Sequence, residues 1–183
     1  MRVGRMEPDV RNQERQPRIE RGVTQERTDG LWALVLAGGD GTRLQELTRL
    51  ISGAPIPKQY CRILGDRSLL EATFARIAAL VPRERRLVIV NRGHLELAWP
   101  QLAAVPARNV VVQPENRDTG PGVLLSLLAL ARRQPHATVA LFPSDHHVGD
   151  ERRFRTHVAR MARLVLAAMG VLPPWRAPLR AAG

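Results

Sequence analysis

At 183 residues and 44% hydrophobic composition, the chain has the size and apolar content of one α/β domain with room for a tail. Its single cysteine, Cys61, excludes an internal disulfide framework; with no secretory or twin-arginine pattern at the start, it points to a reducing cytoplasm. The net charge of +11 raises nucleic-acid binding, but residues 1–30 hold 7 Arg against 6 acids, and residues 151–183 hold 7 Arg against one Glu, so the excess gathers at the C-terminal end.

In chain order, residues 1–30 are charged with both signs and have no apolar periodicity, the composition of a disordered leader. From Leu31 the pattern changes. Apolar runs of strand length, LWALVLA (31–37), RLVIV (86–90), NVVVQ (109–113) and TVALF (138–142), alternate with segments of helical spacing. This βα alternation predicts a mostly parallel sheet covered by helices over residues 31–169. The most apolar run, VLLSLLALA, is about half a membrane span and carries a serine, so no membrane segment is expected.

The first strand runs into LAGGDGTRL. Gly38, Gly39 and Gly41 would let backbone amides turn toward an anion, and Arg43 adds a fork of donors for phosphate oxygens. The spacing matches neither the P-loop nor the full dinucleotide fingerprint, since Leu44 stands where a third glycine belongs. A tight turn with no ligand accounts for the glycines equally well.

Next comes Lys58, in PIPKQY, the only lysine among 28 Lys plus Arg. Pro55 and Pro57 stiffen the backbone before it and predict an extended loop. An isolated lysine is commonly a solvated surface residue. However, a compact ammonium also suits an oxygen that is changing its bonding, where a planar guanidinium would crowd the attack.

Ser68 and Glu71 in SLLE form a capping-box pattern before a helix from Ala72 to Leu80. After the third strand, QPENRDTGPG offers Gln113, a donor and acceptor suited to a nucleobase edge, with Gly120 and Gly122 permitting close backbone approach. An Asx-type turn followed by a helix start at Thr119 reads the same residues without a ligand. The following helix is expected to run from Val123 to Arg133.

After the fourth strand, FPSDHHVGD places Asp145 where a carboxylate could hold Mg²⁺. Asp-His-His also raises a transition-metal reading, but side chains at 146 and 147 diverge and no further ligand stands at a convincing spacing. Asp150 can cap a helix from Glu151 whose apolar side would be Phe154, Val158, Met161 and Val165. Its arginines read as a solvated face, because aromatic residues for base stacking make up only 4% of the chain. Residues 170–183, with three prolines and no periodicity, read as an irregular tail in place of a fifth strand.

Together, LVLAGGDGTRL, PKQY, VQPENRDTGPG and FPSDHH, each at a loop of a βα repeat, resemble the sugar nucleotidyltransferases. The branch most resembled is the mannose-1-phosphate guanylyltransferases. The resemblance covers about residues 31 to 168. It implies a Rossmann-like sheet with helices on both faces, of the nucleotide-diphospho-sugar transferase type and incomplete at its C-terminal end. It also implies nucleotidyl transfer from a nucleoside triphosphate, GTP in that branch, to a sugar 1-phosphate such as mannose 1-phosphate, with release of pyrophosphate.

Carried over, Leu36, Ala37, Gly38, Gly39, Gly41, Thr42 and Arg43 would bind the nucleotide, Gln113 and Gly120 would read its base, Arg43 and Lys58 would be catalytic, and Asp145 would ligate Mg²⁺. Two features depart from the family pattern: an aromatic-Pro pair is missing after Arg43, and NRDTGPG replaces an Asn-Thr-Ala-Pro-Ala pattern. Relatives continue past this chain's end with most of the sugar pocket and a second metal-binding aspartate. The expectation is therefore little transfer by this chain alone and self-association through an open sheet edge, as a homo-oligomer. Neither a membrane nor a specific nucleic acid is expected as partner. The competing reading is a noncatalytic nucleotide-binding or partner-binding module.

Overall fold

A computed structural model describes residues 30–171; the expected leader as far as residue 29 and the expected tail from residue 172 lie outside them, while residues 170–171 continue the last helix instead of starting an irregular tail. Four strands form one parallel sheet: β1 (Leu31–Ala37), β2 (Arg86–Asn91), β3 (Val110–Gln113) and β4 (Thr138–Pro143), in the order β3-β2-β1-β4. β1 is central. Its run of apolar residues is almost wholly buried because both of its faces are covered.

The helices are α1 (Gln45–Ser52), α2 (Leu69–Ile77), α3 (Leu95–Ala98), α4 (Thr119–Ala131) and α5 (Glu151–Val171). They divide between the faces according to strand alternation. Leu31, Ala33, Val35 and Ala37 of β1, with Val88 and Val90 of β2, pack against Leu70, Phe74 and Ile77 of α2, Ala98 of α3 and Ala159 and Ala162 of α5. On the other face Trp32, Leu34, Leu87 and Ile89 meet Leu130 and Val123 of α4.

This division follows from topology. Crossovers between parallel strands are right-handed. The chain leaves β1 through β2 to β3 in one direction, then returns past β1 to β4. Crossovers in opposite directions put their helices on opposite faces, as the sheet-with-both-faces-covered expectation required. The reversal lies between β1 and β4, and the strand ends Ala37, Asn91, Gln113 and Pro143 gather at one edge of the sheet. In open α/β sheets a crevice for ligands forms at such a point.

Local signals were followed closely. The Ser68 hydroxyl accepts from the Glu71 amide at 3.1 Å, and the Glu71 carboxylate accepts from the Ser68 amide at 2.8 Å, completing the capping box. The Asp150 carboxylate accepts from the Arg153 amide at 2.8 Å, capping α5. Three expectations shift. α2 runs over Leu69–Ile77 and not from Ala72 to Leu80, since Ser68 as cap starts the helix at the next residue. α4 begins at Thr119, because Pro121 falls in the first turn where its missing amide costs nothing. It ends at Ala131, and Arg133 instead donates to the Asn109 side chain at 3.0 Å.

The apolar side of α5 is corrected too. Phe154 and Val158 pack inward as expected, but Ala159 and Ala162 complete the contact while Met161 and Val165 stay exposed. Small alanines let the helix sit close to the sheet, which turns the bulkier pair outward. Among the described residues, no helix is long and apolar enough to cross a membrane.

Leu70 is fully buried and Leu50 is 85% exposed. Leu70→Ala is expected to lower stability by about 2–5 kcal/mol, and Leu50→Ala by no more than about 0.5 kcal/mol. Urea unfolding of the two variants beside the parent checks the core assignment.

Candidate functional site

At the end of β1 the chain turns out of the sheet, leaving carbonyl oxygens without strand partners. The 3-10 turn Lys58–Tyr60 supplies donors. The Gln59 side-chain amide donates to the carbonyls of Ala37 at 3.2 Å and Gly39 at 2.7 Å, and the Tyr60 hydroxyl donates to the Ala37 carbonyl at 2.7 Å. Both side chains are buried. Burial pushes the Tyr60 phenol well above its ordinary range, an effect only partly opposed by the hydrogen bond with Gln59.

The same turn presses against Gly41, whose φ of 62° is left-handed. A Cβ there would stand 3.0 Å from the Lys58 amide nitrogen and 3.2 Å from the Pro57 Cα. Glycine is therefore required by both conformation and space. Among the described residues, no acceptor takes the amides of Gly39, Asp40 or Gly41. Three consecutive uncommitted amides in a turn form a concavity suited to an anion.

These residues border a cleft of about 500 Å³ at the strand ends. Ser144 closes the β4 side by donating its hydroxyl to the Leu36 carbonyl at 2.6 Å, which sets Asp145 beside the cleft. Lys58 Nζ meets Asp145 Oδ2 at 2.5 Å, both side chains being more than half buried. On the opposite wall, Gln113 ends β3 with its side-chain oxygen packed near Gly38 and Gly122.

Of the residues singled out from sequence, Leu36, Gly38, Gly39, Gly41, Thr42, Lys58, Gln113 and Asp145 all border this one cleft. Ala37 lies just behind, buried, its carbonyl held by Gln59 and Tyr60. Arg43 is exposed at the rim and does not line the cleft. Gly120 is also exposed and off the lining, and Gly122 takes the close-packed position, where a Cβ would meet the Gln113 oxygen at 3.1 Å. The Asx turn is present as well, with the Asp118 amide donating to Asn116 Oδ1 at 3.1 Å.

Sequence reading gave no role to Gln59, Tyr60, Asp40, Asn91, Asn116 or Ser144. Asp40 accepts from Asn116 at 2.8 Å and Asn91 at 3.3 Å, tying the glycine loop to the loop after β3 and to the last residue of β2. Gln59 stands next to Lys58 in the quoted PKQY, so the signal was adjacent. Its buried carbonyl partners are visible only once the loops are assembled.

The sequence model for the family described as Nucleotidyl transferase matches residues 32–177. The chain belongs to the nucleotidyl transferase family. Among curated relatives, this nucleotidyl transferase chain is 31% identical over 146 residues to the xanthan biosynthesis protein XanB of Xanthomonas campestris pv. campestris, covering 76% of this chain and 30% of that protein. To the mannose-1-phosphate guanylyltransferase of Escherichia coli K12 it is 33% identical over 132 residues, covering 70% of this chain and 27% of that one. It thus spans about 30% of the length of the curated relatives it matches.

A crystal structure of a Thermus thermophilus protein called mannose-1-phosphate geranyltransferase superposes with a TM-score of 0.62 at 36% identity, covering 72% of this chain and 37% of that one. The α/β nucleotidyltransferase fold, with its parallel sheet, is shared with that structure.

In the nucleotidyl transferase chain, Gln59→Glu is expected to cost about 1–3 kcal/mol at neutral pH, more than Gln59→Ala, because it points a carboxylate at two carbonyl oxygens. Denaturant unfolding at neutral pH reads the difference. Tyr60 is the only tyrosine, so phenolate absorbance reports it alone. Its folded-state pKa is raised, so its contribution to stability is complete below the ordinary value of 10.0 and is lost as pH rises through the folded value. Phenolate absorbance is therefore expected to appear only with alkaline unfolding. A reversible titration near 10.0 in a still-folded chain would contradict the buried hydroxyl.

Proposed function

We propose that this chain forms the nucleotide-binding part of a sugar-1-phosphate nucleotidyltransferase, taking GTP as donor and mannose 1-phosphate as acceptor. The observation that carries the reading is the set of amides at Gly39, Asp40 and Gly41, without acceptors among the described residues, sharing one cleft with the chain's single lysine. In the reaction, an oxygen of the sugar 1-phosphate bonds to the α-phosphorus of the triphosphate as the bond to pyrophosphate breaks. Positioning and charge neutralisation supply most of the assistance for such a displacement.

The amides of the glycine loop would hold phosphate oxygens, and Lys58 would place its ammonium against charge developing at the reacting phosphates. Gln113 would present donor and acceptor to a base edge, in a wall kept open by Gly38 and Gly122. Arg43, at the rim, would reach phosphate oxygens only by swinging inward. The names of the relatives support guanine and mannose as base and sugar.

Asp145 fits a role toward Mg²⁺. It contributes one hard carboxylate at the cleft, and Mg²⁺ is satisfied by one or two carboxylates together with phosphate oxygens and water. Among the described residues no group of three or more His, Cys, Asp or Glu gathers as metal ligands. The donor set therefore suits a cation that arrives with the phosphates. Such a cation would supply charge neutralisation at the polyphosphate.

Calorimetric titration with GTP, ATP, CTP and UTP in excess Mg²⁺ tests the reading, with GTP expected to bind most tightly. Lys58→Ala is expected to weaken binding about tenfold to a hundredfold, the scale of a lost charge-assisted hydrogen bond. Equal binding by Lys58→Arg would remove the case for a compact ammonium, and absence of triphosphate binding by folded protein would remove the nucleotide reading. Binding of GTP without pyrophosphate release in the presence of mannose 1-phosphate would mark the chain as a noncatalytic nucleotide module.

A further inference from the structure

On the far side of the loop after β4, a buried guanidinium stands outside the cleft described above. Arg76, in the last turn of α2, has only 7% of its side chain exposed. Its Nε is buried and has no hydrogen-bond partner among the described residues. Glu151 Oε1 lies 3.5 Å away, an ion pair without the alignment of a hydrogen bond, and Glu151 Oε2 already accepts from Arg155 at 3.2 Å. The Phe154 ring lies 5.9 Å from the guanidinium carbon. A buried donor left in this state calls for a partner.

Arg76 opens onto two adjoining cavities, of about 340 and 410 Å³, which share His146, His147 and Val148 as walls. Both are of a size that takes a small molecule. The larger adds an apolar wall of Leu64, Leu69 and Ala72, and it has no lining residue in common with the cleft at the strand ends.

Three carboxylates border the two cavities. Asp145 is engaged by Lys58, Asp66 precedes Arg67 in an exposed turn, and Glu151 lies between Arg76 and Arg155. Two guanidinium groups against one carboxylate leave positive charge in excess around Arg76. The N-terminus of α5, which starts at Glu151, adds the positive end of its dipole. Such a site repels a cation, whereas the planar fork of an arginine matches the oxygens of a carboxylate or phosphate.

We propose that Arg76 anchors a second binding site, for a small organic oxyanion whose head takes the guanidinium and whose body lies along Leu64, Leu69 and Val148. This site does not rest on the nucleotide reading. Glu151 holds the guanidinium in place and competes with the anion for it, so its charge limits the affinity.

The test uses the full nitrogen-labelled chain, titrated with inorganic phosphate, phenyl phosphate and benzoate. NMR follows the Arg76 Nε–Hε signal, identified by its loss in Arg76→Lys, and the Val148 amide. Both are expected to shift together and saturate, with phenyl phosphate binding about tenfold more tightly than inorganic phosphate because its ring covers apolar wall. The amides of Gly39 and Gly41 report binding in the other cleft separately. Glu151→Gln is expected to tighten binding about threefold, the scale of one exposed charge interaction. Arg76→Lys is expected to weaken it about tenfold or more, read at Val148.

Saturation by the phosphates or by benzoate supports the site and tells which head the fork takes. Absence of a saturable shift at Arg76 with all three probes overturns it, as does an equal shift with sodium chloride at the same ionic strength. If Arg76→Lys loses its native circular dichroism, Glu151→Gln decides alone: a gain in affinity supports the site, and an unchanged affinity refutes it.

Discussion

The carbonyl oxygens at the end of β1 must find donors as the chain leaves the sheet, and the rest of the site depends on how that is met. Unpaired buried carbonyls are costly. Gln59 and Tyr60 donate to Ala37 and Gly39 from a single short turn. With its carbonyls held from behind, the glycine loop keeps the amides of Gly39, Asp40 and Gly41 without partners among the described residues. The turn that holds the loop also carries Lys58, so the cation and the amides are positioned by one local structure.

Close packing makes that structure specific. Gly41 lets the loop lie directly on the Pro57–Lys58 backbone, and Gly122 lets α4 lie against the Gln113 side chain. Pro57 is buried at the start of the turn, where its fixed φ costs nothing. The two prolines that stiffen this segment thus lead into a wall of the cleft. Asp40 ties the loop to the end of β2 and to the loop beyond β3 through two asparagine amides, so the ends of three strands share one anchor.

Topology and electrostatics meet at the reversal between β1 and β4. Ser144 bonds back to β1 through the Leu36 carbonyl, and the next residue, Asp145, faces Lys58. The two charges come from loops 87 positions apart in sequence, 145 against 58, and meet because β4 returns to lie beside β1. Pairing them offsets the desolvation that each would otherwise suffer, at the cost of committing both before a ligand arrives.

The sequence by itself determined the four strands, their parallel arrangement, the Ser68–Glu71 capping box, the Asp150 cap and about half of the cleft's lining. Those features are written in local chemistry: β-branched runs, helical spacing, capping residues and glycine turns act over a few residues. The tertiary structure alone decided that α5 turns Ala159 and Ala162 inward and Met161 outward, that Gly122 and not Gly120 packs at the Gln113 wall, and that Arg43 stays at the rim. It also decided that Gln59 and Tyr60 hold the loop and that Lys58 and Asp145 neutralise each other. Each of these depends on which distant backbone comes within about 3 Å. That distance is set by helix-to-sheet packing and by the return of β4 beside β1, to which residue type and spacing along the chain are blind.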